Sequence, residues 1–256
     1  MKQSQWTDGV KFLLVMGAGA WLLARGTETL GYNWQWYRVG HYLVSIQDGS
    51  LVPGPLVEGL RVTLQITVVS LGLAFSIGLI IAFFRLSSSF IAKALARGYL
   101  ELIRNTPLLV QIFFIYFVLS PILDISRFAS AILALSLFEG AYASEIFRAG
   151  IVSIHRGQWE AAYSLGLGSY SAYRHVILPQ AVRRMLPPLT SQAISLVKDS
   201  ALVSTIAIYD LTMQGQAIIA ETYLTFEIWF IVAAIYLMIT VSLSIGVNVM
   251  EKRLRQ

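Results

Sequence analysis

The stretch EAAYSLGLGSYSAYRHVILP, residues 160–179, is polar although it lies between apolar runs of membrane-spanning length. It opens with three good helix formers, Glu160, Ala161 and Ala162. Gly166 and Gly168 then interrupt or bend the helix, and a second short helix is expected to open near Ser171 and to end at Pro179. The pattern predicts a helix-turn-helix with a small-residue face, which is typical of a docking surface.

Two uncharged runs predict membrane-spanning helices. Residues 62–84 and 228–249 comprise 23 and 22 residues without a charge. At about 1.5 Å rise per residue, each run exceeds the roughly 30 Å hydrocarbon core of a bilayer. Trp229 lies near one end of the second run, where an aromatic side chain anchors at the interface. The composition agrees, since 56% of the 256 residues are hydrophobic and only 13% are charged.

Three weaker spans are expected between these two, at residues 107–123, 128–146 and 186–208. The last two contain charged residues, namely Glu139, Glu145, Lys198 and Asp199. Such side chains are costly against lipid, so we expect them to face protein or a water-filled path.

The N-terminal region leaves the number of spans at five or six. Residues 12–24 are uncharged but only 13 long, too short to cross without help from their flanks. They can span, lie at the interface, or belong to a cleaved signal peptide, since Ala-Gly-Ala at 18–20 is similar to a cleavage site. Residues 26–59 are too polar to span and should lie outside, with Trp34 and Trp36 at the membrane surface. A contact for an extracytoplasmic partner is the alternative.

The basic residues indicate the orientation. With six spans and both termini in the cytoplasm, 14 of the 19 Lys and Arg residues fall in cytoplasmic segments. This places residues 160–179 inside the cell. The net charge of +5 then reflects the membrane topology. Nucleic-acid binding is not predicted, because the sequence lacks a soluble basic face with interleaved aromatic residues.

The spacing within residues 160–179 resembles the EAA signature of ATP-binding-cassette (ABC) importer permeases. EAA is followed after three residues by Gly166, and nine residues later by an aliphatic residue, one further residue and Leu-Pro. Val176 stands where that signature usually has Ile. Residues 103–114, 140–168 and 197–211 are similar to the polar amino acid subfamily of these permeases.

The resemblance implies an all-α integral membrane protein with the type I ABC importer permease fold and five to six transmembrane helices. Residues 1–59 would form an N-terminal membrane-associated helix and an extracytoplasmic segment. Residues 60–256 would form the permease domain, with a cytoplasmic coupling helix at about 158–179.

The resemblance also implies the function and the partners. The chain would be the permease subunit of an ATP-driven amino acid importer in the bacterial inner membrane. It would lie in membrane lipid, take an amino acid as its substrate, and assemble with a dimer of ABC ATPases, a second permease subunit (identical or different) and an extracytoplasmic solute-binding protein, with no nucleic acid and no bound cofactor. The sequence contains no G-x-x-x-x-G-K-[ST] loop, so ATP would be bound and hydrolysed by another chain.

Six residues match the part of the signature that contacts the ATPase: Glu160, Ala161, Ala162, Gly166, Leu178 and Pro179. Glu160 is expected to pair with a basic residue of the ATPase or to meet the N-terminus of its own helix. A capped loop between two spans, without a docking role, is the alternative.

Three intramembrane charges are candidates for binding the amino acid: Glu145, Lys198 and Asp199. Glu145 can receive the amino group of the cargo, or it can pair with Arg148 one helical turn away. Glu139 lies about 240° around the helix from Glu145, so a joint acidic site is not expected. Lys198 can meet the cargo carboxylate or form a bridge to Glu139 or Glu145.

No enzyme site is predicted. The three histidines have no metal-ligand spacing and the chain has no Cys. Thr106, before Pro107, is expected to cap a helix. Two other functions stay open at this point. An ion-coupled secondary transporter would use the acidic residues as proton relays, and an assembly subunit would use them only as ion pairs.

Overall fold

The computed structural model describes residues 2–29, 31–47 and 50–254. The chain divides into two compact units, Met1–Val39 and Gly40–Gln256. This boundary lies before the predicted division at 59/60, because the short elements of residues 40–53 pack with the helix that follows them.

The smaller unit contains helix α1 (Lys2–Thr29) and a 3₁₀ turn (Trp36–Arg38). The rings of Trp34 and Trp36 stack with 5.8 Å between centroids, and Tyr32 meets Trp34 edge-on at 5.3 Å. The apolar part of α1, Gly9–Gly19, is shorter than a membrane span. Spanning or cleavage within residues 12–24 therefore stays a prediction, as does the position of the aromatic residues at the membrane surface.

The larger unit begins with a short hairpin that the sequence analysis did not predict. After helix α2 (Gly40–Leu43), strands β1 (Val44–Gln47) and β2 (Ser50–Pro53) pair antiparallel, with Val44 opposite Pro53. The Gly54 N–H donates to the Leu43 carbonyl over 2.8 Å and closes the hairpin. The other regular elements of the described chain are helices, as the predicted fold class requires.

Three helices in the described part of the chain are long and apolar enough to cross a membrane. They are α3 (Pro55–Leu86), α7 (Arg127–Val152) and α12 (Thr225–Leu254), and the apolar span of α12 ends at Met250. They match the spans predicted at 62–84, 128–146 and 228–249.

A bent pair of helices accounts for the span predicted at 107–123. Helix α4 (Phe90–Arg104) is followed by α5 (Leu108–Phe113), a π-helical segment (Phe114–Leu119) and α6 (Ser120–Leu123). The two parts meet at an angle of 104°, and together they count as a fourth candidate span. The bend occurs at Pro107, whose backbone is extended between the two helices and whose ring disfavours a helical conformation in the residue before it.

The remaining helices are α8 (Arg156–Ser164), α9 (Ser169–Ala172), α10 (Leu178–Asp199) and α11 (Leu211–Thr222). A π-helical segment (Tyr173–Ile177) joins α9 to α10, and a 3₁₀ segment (Ser200–Ile206) follows α10. The span predicted at 186–208 covers the second half of α10 and this 3₁₀ segment. Because α10 carries several charges, it is not among the helices apolar enough to span by composition alone.

The prediction that Pro179 ends a short helix was wrong. Pro179 lies in the first turn of α10, and the helical path from Ser169 runs through it. Proline lacks an N–H and its ring collides with the carbonyl four residues earlier in a regular α-helix. The wider π turn over Tyr173–Ile177 directly precedes the proline and is a common place for such a local adjustment.

Small residues bring α3 and α7 into close contact. A Cβ added at Gly78 would lie 2.8 Å from the Cβ of Ala143 and 3.0 Å from the carbonyl oxygen of Gly140. Such close approach of backbones is typical of helices packed within membranes. Beside this crossing, a buried cluster that includes Ile66, Leu135 and Leu196 joins α3, α7 and α10. The three helices therefore form the frame that carries the polar segments described next.

Candidate functional site

The polar stretch between α7 and α10 begins with helix α8. His155 caps it, since its Nδ1 accepts the N–H of Gly157 over 3.0 Å. Ala162 is buried against the body of the protein, and the ring of Trp159 packs at 6.2 Å from that of Tyr173. One face of the helix is thus fixed by packing, while Glu160 and Ala161 on the other face are exposed.

Gly166 ends α8 in a left-handed turn with φ of +76°. The Leu167 N–H donates to the Ala162 carbonyl over 3.1 Å, and the Gly166 N–H donates to the Tyr163 carbonyl over 2.9 Å. These two bonds form a Schellman motif, in which glycine avoids the steric cost that other residues meet at positive φ. The predicted helix-turn-helix is therefore present, although its second helix continues into α10.

Exposed apolar side chains surround this turn. Leu165 is 81% exposed, and Tyr170 and Tyr163 are also exposed. Leu178 lies partly exposed at the start of α10, next to the exposed Pro179. A polar helix rimmed by exposed aromatic and aliphatic side chains has the composition of a protein interface.

Glu160 does not meet the N-terminus of its own helix, which corrects one of its two expected roles. It is the fifth residue of α8, beyond the first turn, and its Oε1 lies 3.2 Å from Nε of Arg156. Both side chains are strongly exposed, so the pair contributes little to stability. Pairing with a residue of the ATPase stays a prediction.

Glu145 forms ion pairs with three arginines. Its Oε1 lies 2.6 Å from Nη1 of Arg85 and 3.2 Å from Nη1 of Arg104, and its Oε2 lies 3.3 Å from Nη2 of Arg148. Arg85 comes from α3, Arg104 from α4, and Arg148 from α7 itself. The guanidinium of Arg104 also lies over the ring of Tyr142 at 5.6 Å. The predicted pairing with Arg148 is therefore present, and both carboxylate oxygens of Glu145 have cationic partners.

Glu139 faces a different side of α7, as its position in the sequence predicted. It is fully buried, and Gln192 and Asp199 of α10 lie beside its carboxylate without reaching hydrogen-bonding geometry. Asp199 is half-buried and Lys198 is exposed. Within the described residues, Lys198 forms no bridge to Glu139 or Glu145, which corrects that alternative.

Thr106 does not cap the helix that follows Pro107. Its hydroxyl donates to the Leu102 carbonyl over 2.9 Å at the end of α4, and it accepts the side-chain amide of Gln111 over 2.9 Å. Gln111 also donates to the Ile103 carbonyl over 2.8 Å. These hydrogen bonds let Thr106 stabilise the bend between α4 and α5. The start of α5 at Leu108 has no side-chain cap.

A polar network around Asp210 was missed by the sequence analysis. Asp210 is fully buried and caps α11, its Oδ1 accepting the Met213 N–H over 2.8 Å. The Leu211 N–H donates to the hydroxyl of Thr63 on α3 over 3.1 Å, and Tyr236 of α12 lies 3.5 Å from Asp210 Oδ2. Burial raises the pKa of Asp210 to about 6. An aspartate directly before a helical run was the signal available in the sequence.

Comparison with known proteins identifies the class. The family described as binding-protein-dependent transport system inner membrane component matches residues 74–256. The glutamine transport system permease protein GlnP of Escherichia coli (strain K12) is 43% identical over 203 residues, which cover 78% of this chain and 93% of GlnP. The probable glutamine ABC transporter permease protein GlnM of Bacillus subtilis (strain 168) is 38% identical over 200 residues, again 78% of this chain and 93% of the relative.

Solved structures agree with this result. The crystal structure of an amino acid ABC transporter with histidines has 40% sequence identity to this chain and a TM-score of 0.73, covering 78% of this chain and 94% of the solved one. An inward-facing MetNI methionine ABC transporter, at 21% identity and a TM-score of 0.64, shares the fold over 78% of this chain and 95% of its own.

The chain belongs to the family of binding-protein-dependent transport system inner membrane components. It is thus a membrane protein and a permease subunit of an ABC transporter with the type I importer fold, which confirms the predicted class. The secondary-transporter alternative is not favoured.

Proposed function

We propose that this chain is the permease subunit of an ATP-driven importer for a polar amino acid, with glutamine as the first cargo to test. The observation that carries the proposal is the exposed α8–Gly166 segment on a membrane-embedded frame, because a permease without a nucleotide site needs a surface on which a motor can dock. The glutamine permeases at 43% and 38% identity support the choice of cargo.

The coupling mechanism follows from how α8 is attached. Ile154, just before α8, and Trp159 on α8 pack with the core between α7 and α10, so a force on the exposed face of α8 is transmitted to both helices. Closure of an ATPase pair would move the docked segments of two permease subunits together as rigid bodies. The attached spans would then switch the path between inward and outward access.

The partners are part of the proposal. An ABC ATPase dimer would dock on Glu160, Ala161 and Gly166 and on the rim formed by Leu165 and Leu178. A second permease subunit would complete the path, and a solute-binding protein would deliver cargo on the outer side of a bacterial inner membrane. ATP would be bound and hydrolysed in the ATPase, and this chain would hold no cofactor.

Within the path, we assign Lys198 and Asp199 to the zwitterionic cargo. Lys198 is exposed on this chain and has no ion-pair partner among the described residues, so its ammonium group is available for a carboxylate. Asp199 beside it offers a counter-charge for an amino group. The contacts of Glu145 favour the other role that was open to it, since three arginines already neutralise its carboxylate.

The test is uptake of labelled glutamine into proteoliposomes that contain this chain, its ATPase and its binding protein. We expect uptake only with ATP inside the vesicle and with an ATPase able to hydrolyse it. Collapse of the ion gradients with ionophores should leave uptake unchanged. Uptake that survives an inactive ATPase and disappears with the gradients would contradict the proposal in favour of a secondary transporter. Lys198→Gln should lower the maximal rate of ATP-driven glutamine uptake at saturating binding protein, with Lys252→Gln as the control for loss of one charge.

A further inference from the structure

The cavity between α3, α4 and α7 has more positive than negative charge. It has a volume of about 600 Å³, large enough for a small polar ligand with its water. Five basic side chains and two acidic ones line it: Arg85, Lys93, Arg97, Arg104 and Arg148, with Glu101 and Glu145. The cavity therefore attracts an anion.

Lys93 and Arg97 are the cations that the protein itself does not neutralise. Glu145 pairs with the three arginines already described, and Glu101, which accepts the side-chain amide of Asn105 over 2.8 Å, forms no ion pair with a cation of the described residues. Within residues 2–29, 31–47 and 50–254, neither Lys93 nor Arg97 forms an ion pair, and both are exposed. They are spaced i, i+4 on α4, so they repel each other unless an anion lies between them.

Helix α4 places these cations beside an exposed apolar surface. Its inner face, with Ala96, Leu100 and Ile103, is buried. Four large apolar side chains of α4 are more than half exposed: Ile91, Leu95 and Leu102 share one face, and Phe90 lies one turn before Lys93 on the face of the cations. A helix with an outward apolar face and a basic face lies at the surface of a membrane, with acyl chains against one face and headgroups against the other. The 104° bend at its end separates it from the span that follows.

We propose that this cavity binds the phosphate headgroup of an anionic phospholipid in the cytoplasmic leaflet. Lys93 and Arg97 would hold the phosphate, and the acyl chains would lie along Phe90, Ile91 and Leu95. Basic pockets between spans on the cytoplasmic side are suited to such headgroups, since that leaflet is rich in anionic lipid. The distribution of Lys and Arg along the chain predicts that this cavity faces the cytoplasm. A soluble phosphate would satisfy the charge but would leave the apolar face of α4 uncovered.

Lipid binding can be measured on the full chain purified in detergent, by native mass spectrometry and by the shift in Tm on adding lipid. Phosphatidylglycerol should bind and raise the Tm, whereas phosphatidylcholine at the same mole fraction should do neither. The double variant Lys93→Gln/Arg97→Gln should bind phosphatidylglycerol about thirtyfold more weakly, as expected for two cations near a headgroup. Both side chains are exposed, so the variant should fold.

The control double variant, Arg183→Gln/Lys252→Gln, removes the same charge from exposed positions outside the cavity. It should bind phosphatidylglycerol as the wild type does. Equal loss in both variants would point to general surface charge and would overturn the proposal, as would an undiminished response in the cavity variant. Inorganic phosphate that reproduces the Tm shift would overturn it too, by identifying the ligand as a soluble anion.

Discussion

Glu145 of α7 and Arg85 of α3 form an ion pair with 2.6 Å between Oε1 and Nη1. Arg85 lies in the last turn of α3, where a cation also interacts favourably with the helix dipole. Because Arg104 and Arg148 share the same carboxylate, one acid links α3, α4 and α7. Glu145 is thus a junction of the frame whose loss should be measurable as reduced stability.

We expect Glu145→Gln to lower the free energy of unfolding by about 1 to 2 kcal/mol. The amide keeps the shape but leaves three guanidinium groups without their anion. The cost stays below that of a fully buried pair because the side chains are partly exposed. Thermal unfolding in detergent measures it. Glu101→Gln is the matched control, since Glu101 lines the same cavity but, among the described residues, forms no ion pair and accepts a hydrogen bond from the neutral Asn105 side chain. Equal Tm values for the two variants would contradict the junction role.

The sequence predicted the parts of this molecule that local chemistry determines. Uncharged runs revealed α3 and α12, and the Gly166 turn followed from glycine in a helix-breaking position. The i, i+3 spacing indicated the Glu145–Arg148 pair as one of two roles left open for Glu145. Each of these features depends on residues close together in the chain.

Features that depend on distant residues were not predicted. Arg85 and Arg104 reach Glu145 across 60 and 41 positions of sequence, and Thr63 meets Leu211 across 148. Pro179 was misjudged because the π turn before it cannot be read from residue types. The hairpin at 44–53 was missed because its pairing is stabilised next to α3 rather than by strong local signals.

Gly78→Leu should disrupt the contact between α3 and α7. Even a Cβ at this position would lie 2.8 Å from Ala143, so a larger side chain forces the helices apart, at a cost of about 3 kcal/mol. Gly72→Leu on the same helix is the control, since nothing lies within 4 Å of a Cβ there. Tm values in detergent should fall for the first variant only. A Gly78→Leu protein as stable as the control would show that the helices are not in close contact.

Gly166→Ala should impair coupling more than it impairs folding. A Cβ has open space at Gly166, but the φ of +76° costs an L-residue about 1 kcal/mol, which distorts the exposed end of α8. ATP-driven uptake should fall up to about tenfold, the equivalent of 1.4 kcal/mol in docking. Gly168→Ala is the matched control, because Gly168 is also in open space but has a φ of −67°. Similar uptake by both variants would exclude a special role for the left-handed turn.

Asp210→Asn should remove part of the pH dependence of stability. Burial raises the pKa of Asp210 from 3.8 to about 6, so the neutral carboxyl favours folding. This contribution is complete below pH 3.8 and is lost as the pH rises through 6, amounting to at most about 3 kcal/mol at 1.36 kcal/mol per pKa unit. Asparagine can still accept the Met213 N–H and carries no charge, so the decline in Tm between pH 4 and 7 should be smaller in the variant. Asp124→Asn, a control at an exposed position, should show the same decline in Tm with pH as the wild type. Parallel profiles for all three proteins would mean that Asp210 does not ionise in this range.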